Sequence, residues 1–404
     1  MHSVPVTTSP SLASATPALG GRRPKLVFLV TEDWYFWSHR LPMARAARDA
    51  GFEVVVATRV RDHGAAIRGE GFRLVPLAWR RRGDGIVGAV RALAAIAELY
   101  RREHPDLVHH VALKPILFGG LASRLAFPGG RGRPATVAAV TGFGSAFGAA
   151  TGFARIKRAL LSRLLRHLIS GGRVVVQNPD DHAALAAAGI DAARLVLIRG
   201  SGVDTKHFAP LAEPVDPTIA VALVGRMLRS KGVPDAVAAV RRLRDAGLAI
   251  DLLLAGPIDP DNRDTLTEWE MSELAAVPGI SWLGRVADVR EVWQRAAIAV
   301  LPSIREGLPK ALLEAAACGR PIVASDAPGC RDVVRDGVTG LLVPPGDIDA
   351  LAAALARLAA DPAQRRAMGM AGRALVEREF GDERVAQDTL ALYQTLLRER
   401  PGAR

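Results

Sequence analysis

A chain of 404 residues, 49% hydrophobic and 23% charged, is too long for one ordinary core and too apolar for general disorder. Its net charge of +12 is lopsided: residues 1–205 hold 28 Lys and Arg against 14 Asp and Glu, a net of +14, and the remainder nets −2. The first half is therefore expected to face something anionic. Two cysteines, Cys318 and Cys330, give neither a disulfide framework nor a metal-ligand cluster, which fits a reduced, cytoplasmic protein.

Residues 1–21 read as a structureless leader rich in Ser, Thr, Pro and Ala. Arg22, Arg23 and Lys25 precede an apolar run of only six residues before Glu32 and Asp33, too short for a secretory signal. From there β-rich runs at 25–31, 53–58, 73–77, 106–110, 136–140, 173–177 and 195–199 alternate with helical spacing at 41–50 and 88–100. Residues 135–154 carry no charge, about the length of a bilayer span. Their four glycines, three threonines and one serine read instead as a buried strand entering a glycine-rich loop.

The pattern restarts after a proline-bearing linker at 210–217, with strands at 218–224, 250–254, 280–283, 297–301, 321–325 and 340–343. Near-continuous apolar strands separated by helices mean parallel sheets covered on both faces. The expected architecture is α/β, with two Rossmann-like doubly wound domains at 22–209 and 210–381 and a cleft between them. A final helix at 382–404 is expected to pack back on the first domain. Ligands in such sheets bind outside the carboxyl ends of the strands.

The stretch from Leu301 to Gly346 is the most informative. A strand ends at Pro302, a loop carries Glu306 and Gly307, and Pro309 suits a first helical turn. Residues 311–318 form helix readily, and Gly319 closes it. Glu306 then stands at the loop–helix junction, with Glu314 inside the helix and the N–H groups of Leu308 and Lys310 offered to an anion.

With seven residues between them, Glu306 and Glu314 resemble the paired-glutamate signature of retaining glycosyltransferases of the GT-B fold, family 4. The A-x-G-R-P-I-V-A-S, P-G-C-R-D and D-G-V-T-G-L-L-V-P-P-G-D blocks extend the resemblance through Asp347, and Asp332 stands where the family commonly has a glutamate. Upstream, Val224-Gly225-Arg226 with Lys231-Gly232 is similar to the family's diphosphate-binding pair. The 281–292 segment, with Arg285 and Val286, is similar to the one that flanks the base. The resemblance implies that Glu306 contacts the donor sugar and Glu314 the ribose hydroxyls, with Gly307, Leu308 and Pro309 lining the donor site. Arg226 and Lys231 would stabilise the charge of the leaving diphosphate.

In the first half, Asp106 to Pro115 followed by Phe118-Gly119-Gly120 resembles a motif of relatives that build surface polysaccharides or lipid-linked oligosaccharides. It suggests that His109 or His110, at a strand end, orients a sugar; the alternative is a pair of buried, satisfied histidines. Thr141-Gly142-Phe143-Gly144-Ser145 resembles a close-approach loop of the same relatives, the alternative being a tight turn. His39 and Lys114 join Thr141, Gly142 and Gly144 on the acceptor side. Trp34 to Trp37 either stack on a sugar, touch lipid or enter the core. The amphipathic run 154–173 either packs on its own domain or meets anionic lipid, and Arg80 to Arg82 point toward lipid as well.

The resulting expectation is transfer of a hexose or N-acetylhexosamine from a UDP-sugar, with retention, to an undecaprenyl-diphosphate-linked or polysaccharide acceptor. It would need neither cofactor nor metal, since no cluster of carboxylates or Cys/His is placed for one. The enzyme would work in the cytoplasm, on or near an anionic inner-membrane surface. A soluble acceptor is the alternative, and a nucleotide-sugar epimerase a more distant one. A nucleic-acid partner is not expected, because the basic residues are scattered over crossover segments without a binding module.

Overall fold

The computed structural model describes residues 22–79, 85–142, 166–168 and 172–400. Seven parallel strands form the first sheet: β1 (Lys25–Glu32), β2 (Glu53–Arg59), β3 (Arg73–Pro76), β4 (Leu107–Val111), β5 (Ala135–Ala139), β6 (Arg173–Val176) and β7 (Leu195–Leu197). Their order is β3-β2-β1-β4-β5-β6-β7. The second sheet holds six parallel strands: β8 (Ile219–Val224), β9 (Ile250–Ala255), β10 (Ile280–Gly284), β11 (Ile298–Leu301), β12 (Ile322–Ser325) and β13 (Gly340–Val343). Their order, β10-β9-β8-β11-β12-β13, is again doubly wound. Each strand lies within a residue or two of the apolar run expected for it. The anticipated helix at 88–100 is longer, Gly85–Glu103.

Both sheets are buried on two faces. Leu26 and Phe28 of β1 enter one cluster with the helix Leu41–Asp49, and Val27 and Leu29 enter another with the helix Gly85–Glu103. This is why β1 reads as an uninterrupted apolar run rather than an alternating one. The order of strands reverses between β1 and β4 in the first sheet, and between β8 and β11 in the second. The crevices at those reversals are the natural ligand positions of such folds.

The last helix, Asp382–Arg398, lies on the first sheet's domain, against the helix Leu41–Asp49. Its Tyr393 is fully buried against Phe28, Phe52 and His109. Asp106, also buried, accepts from Arg22 and Arg400 at 2.7 and 2.8 Å, so one carboxylate binds both ends of the described chain to the start of β4. Of the aromatic run after β1, only Phe36 is fully in the core; Trp34, Tyr35 and Trp37 are half-buried on the short helix Asp33–His39.

Directly after β4, Ala112 adopts φ 74° and ψ 168° while its N–H donates to the Ala139 carbonyl at 2.9 Å. Residues with a Cβ avoid that region, at a cost of about 1–3 kcal/mol. Ala112→Gly should therefore raise the unfolding free energy of the first domain by about 1 kcal/mol, after allowing for the greater chain entropy of glycine. Urea unfolding followed by first-domain tryptophan fluorescence measures it. An unchanged or lower midpoint would show that no strain resides there.

Candidate active site

The gap between the domains is organised by the loop that follows β11. Gly232, at φ 71°, is the first element of that arrangement: a Cβ there would sit 2.3 Å from the Pro302 carbonyl. The absence of one lets the turn carrying Lys231 press against the end of β11. Ile304 N–H then donates to the Ser230 carbonyl at 3.0 Å, coupling the two loops. Across this joint the Lys231 ammonium meets Glu306 Oε1 at 2.6 Å, and Ser303 Oγ donates to the same oxygen at 2.9 Å. Two motif blocks that are far apart in the sequence are thus in physical contact.

Beyond Glu306 the loop presses into the first domain. Asn178 Nδ2 donates to the Gly307 carbonyl at 2.6 Å, and Arg305 pairs at 2.5 Å with Asp181, which is wholly buried. A Cβ on Gly307 would lie 2.6 Å from Gln177 Oε1 and 2.7 Å from the Thr141 carbonyl. A Cβ on Gly142 would lie 3.3 Å from the Gly307 nitrogen. Leu308 fills the space over Gly200, and Gly329 passes under the carbonyls of Glu306 and Gly307. Thr141 and Gly142 therefore touch the Glu306 loop, at the first-domain wall of the gap. Gly144 lies outside the described residues, as do Arg80 to Arg82 and most of the run 154–173.

The helix after this loop spans Lys310–Ala317, with Pro309 as its N-cap at φ −75°, ψ 105°. Pro309 therefore precedes the first turn instead of occupying it, and the Leu308 N–H lies outside the helix. The free N–H groups of the first turn are those of Lys310 and Ala311. Lys310 reaches back across the gap and donates to the Ser38 carbonyl at 2.5 Å, while its ammonium stands 3.9 Å from Glu314. Burial pushes the Glu314 carboxyl up to about 7, and Lys310 only partly opposes this. Arg226, just past β8, is held by Asp259 at 2.5 Å.

Lys310, Arg226 and Lys231 also act on His39, at the end of the first domain's short helix, together with Arg40. Burial first and these four cations second keep the His39 imidazole well below its usual pKa. Three second-domain cations thus converge near one first-domain histidine, an arrangement suited to an anion with several oxygens. Arg285 approaches Asp62 of the first domain at 3.9 Å, both exposed, and Val286 packs on the second domain's core.

His109 and His110 do not line this gap. They occupy successive positions of β4, so their rings leave opposite faces of the sheet. His109 Nδ1 meets Tyr393 Oη at 2.5 Å with its ring stacked on Phe28, and His110 Nε2 meets Tyr100 Oη at 2.9 Å under Gly119. Both are buried, with pKa values pushed far down by burial. The pair is buried, as the alternative had it, but not satisfied: among the described residues His109 Nε2 and His110 Nδ1 are sealed from solvent without a hydrogen-bond partner. Lys114, half-buried, holds its ammonium 5.3 Å over the Trp79 ring and 5.6 Å over Phe118.

Ser303, Lys310, Asn178 and Asp259 complete the site without having been singled out from sequence as side chains. Lys310 was legible as the i−4 partner of Glu314. Asn178-Pro179 was legible as a helix start, since Asn178 caps the helix Pro179–Ala187. Asp259, 33 residues from Arg226, left no local signal. Among the described residues no cluster of three or more His, Cys, Asp or Glu is placed to hold a metal, and no helix is long and apolar enough to cross a membrane.

Gly307→Ala should leave each domain folded, because the clash is with the opposite domain, yet lower turnover at least tenfold by forcing Thr141 and Gln177 away. Circular dichroism together with steady-state kinetics tests this, and wild-type turnover would contradict it. The raised Glu314 pKa also fixes a sign. The neutral carboxyl is favoured in the fold, so its stabilising contribution is full below about 4.5 and is lost as pH rises through about 7. Glu314→Gln should therefore abolish a decline in stability of about 3 kcal/mol between pH 4.5 and 8. Parallel denaturant titrations of the two proteins at those pH values measure it.

Residues 25–168 match the family model described as Glycosyl transferase 4-like, and residues 218–361 the one described as Glycosyl transferases group 1; together they cover most of the chain. Alpha-maltose-1-phosphate synthase of Mycolicibacterium smegmatis is 33% identical over 51% of this chain and 58% of its own length. The match thus spans little more than half of that relative. A Campylobacter jejuni relative, N,N'-diacetylbacillosaminyl-diphospho-undecaprenol alpha-1,3-N-acetylgalactosaminyltransferase, is 24% identical over 89% of this chain and 95% of its own. Among solved structures, Anabaena HepE in complex with UDP and glucose superimposes with a TM-score of 0.76 at 18% identity, covering 92% of this chain and 100% of HepE, a likeness of fold. The doubly wound pair of domains, the four motif blocks in order and the two family matches agree: the chain belongs to the GT-B glycosyltransferases of family 4.

Proposed function

We propose that the protein transfers a hexose or N-acetylhexosamine from a UDP-sugar, with retention, to a lipid-linked acceptor at the cytoplasmic face of a membrane. The observation that carries the reading is the cluster of Arg226, Lys231 and Lys310 around a loop that sets Glu306 against the first domain. A diphosphate leaving group gains negative charge as the sugar departs. Cations already fixed beside it stabilise that charge without reorganising.

Arg226 and Lys231 are held by Asp259 and Glu306, so a diphosphate competes for cations that are already oriented. The bond between the anomeric carbon and the diphosphate oxygen breaks with its electron pair moving to that oxygen. The acceptor oxygen bonds the same carbon from the same face, and its proton leaves with the diphosphate. Glu306 accepts hydrogen bonds from the donor sugar and Glu314 from the ribose, for which its carboxylate form is the better acceptor. No metal or cofactor enters this scheme, in which the three cations supply the countercharge.

Uracil as the base is supported by the UDP-bound HepE structures, and a lipid-linked acceptor by the C. jejuni relative, whose name specifies a diphospho-undecaprenol substrate. The net +14 of residues 1–205 agrees with an anionic surface on the acceptor side. A soluble phosphorylated acceptor is the second reading, favoured by the D-inositol 3-phosphate glycosyltransferase of Kribbella flavida, 35% identical over 55% of this chain and 56% of that enzyme.

Radiolabelled UDP-glucose, UDP-N-acetylglucosamine and GDP-mannose, each offered with undecaprenyl-diphosphate-linked sugars and with soluble sugar phosphates, separate these readings. Transfer is expected from a UDP-sugar to the lipid-linked acceptor, with Lys231→Met lowering donor affinity at least tenfold. Transfer to soluble acceptors alone supports the second reading, and no transfer from any donor refutes both.

A further inference from the structure

The hydrogen bonds around His39 determine where its ring proton sits. The Ser38 hydroxyl lies 2.7 Å from the Trp34 carbonyl oxygen and 2.6 Å from His39 Nδ1. A hydroxyl has one proton and a carbonyl oxygen can only accept, so that proton belongs to the bond with Trp34. Nδ1 must then donate to Ser38 Oγ. Lys310, Arg40, Arg226 and Lys231, with burial, keep the ring neutral. A neutral ring protonated at Nδ1 carries its lone pair on Nε2.

That lone pair is fixed in direction and left available. The Tyr35 ring lies parallel to the imidazole, 4.2 Å away at 7°, and the second domain's Lys310 holds the Ser38 carbonyl at 2.5 Å. Among the described residues Nε2 has no hydrogen-bond partner, and it is not one of the polar atoms sealed from solvent without one. An atom that only accepts repels an anionic oxygen, so the diphosphate is not its ligand. An ammonium group is disfavoured by the four cations nearby. What remains is a neutral donor, and the hydroxyl is the one that hexoses and N-acetylhexosamines both carry.

We propose that His39 Nε2 accepts a hydrogen bond from a sugar hydroxyl in the interdomain gap and so orients that sugar against the Glu306 loop. This rests on the glycosyl-transfer reading above and adds a positioning residue to it. The hydroxyl belongs either to the donor sugar or to the recipient, and the experiment separates the two.

Nitrogen-15 NMR of histidine-labelled full-length protein, with the His39 signals assigned by their loss in His39→Asn, should show a neutral ring protonated at Nδ1 at pH 6. An Nε2-protonated tautomer or an imidazolium would overturn the proposal. His39→Asn keeps a donor for Ser38 but puts nothing at the Nε2 position, whereas His39→Gln can place an oxygen acceptor there. Calorimetry with UDP should give wild-type affinity for both variants. If the hydroxyl is the donor's, His39→Asn weakens UDP-glucose and UDP-N-acetylglucosamine binding about tenfold, and Gln recovers most of it. If it is the recipient's, binding is unchanged while the KM for the lipid-linked acceptor rises about tenfold in His39→Asn and recovers in His39→Gln. Wild-type behaviour of His39→Asn in both arms overturns the proposal. Failure of the wild-type protein to bind UDP refutes the underlying glycosyl-transfer reading instead, and the tautomer measurement still decides the proton's position.

Discussion

Two domains with separate sheets are joined at the site through a short backbone segment, residues 305–308, pressed between them. Its second-domain side is fixed by Lys231, Ser303 and the glycine passing beneath it at 329. Its first-domain side is fixed by Asn178, Asp181 and the Thr141–Gly142 backbone. The approach is close enough that position 307 has no room for a side chain. Because backbone on backbone is rigid, the position of the Glu306 carboxylate reports how the two domains are set against each other. Coupling of that kind makes a site complete only when the domains meet, which keeps water from a reactive donor.

Charge follows the same geometry. Arg226 and Lys231 lie in the turn after β8 and Lys310 in the helix after β11, and each is already engaged, with Asp259, Glu306 or the Ser38 carbonyl. Their side chains are thereby ordered in advance, so a ligand's oxygens exchange partners with them instead of ordering them anew. Burial, reinforced by these cations and Arg40, suppresses protonation of His39, whereas at Glu314 burial is opposed by Lys310 alone.

Much of this was legible in the sequence, for physical reasons that can be named. The central strands among the thirteen described were found because parallel strands buried on both faces are apolar without alternation, as in Leu26 to Val30. Glu306, Glu314, Arg226 and Lys231 were singled out by the resemblance of their motif blocks, and the fold brings Lys231 against Glu306. What local sequence could not convey was direction and long-range pairing. His109 and His110 stand beside the end of a central strand, yet the alternation of β4 sends one toward Tyr393 and the other toward Tyr100. Tyr393 lies 284 residues from His109, and Asp259 33 from Arg226, separations over which no pattern carries information. Pro309 was placed one position too far into its helix because a proline is compatible with both the cap and the first turn.

The central claim is that the three cations and the 305–308 segment form one binding site for a sugar nucleotide. A crystal structure of the protein with UDP-glucose tests it most directly. The account predicts diphosphate oxygens within hydrogen-bonding distance of Arg226 and Lys231, the ribose beside Glu314 and the sugar ring against Glu306. A nucleotide bound elsewhere, with the Lys231–Glu306 and Arg226–Asp259 pairs intact and the gap empty, would contradict it.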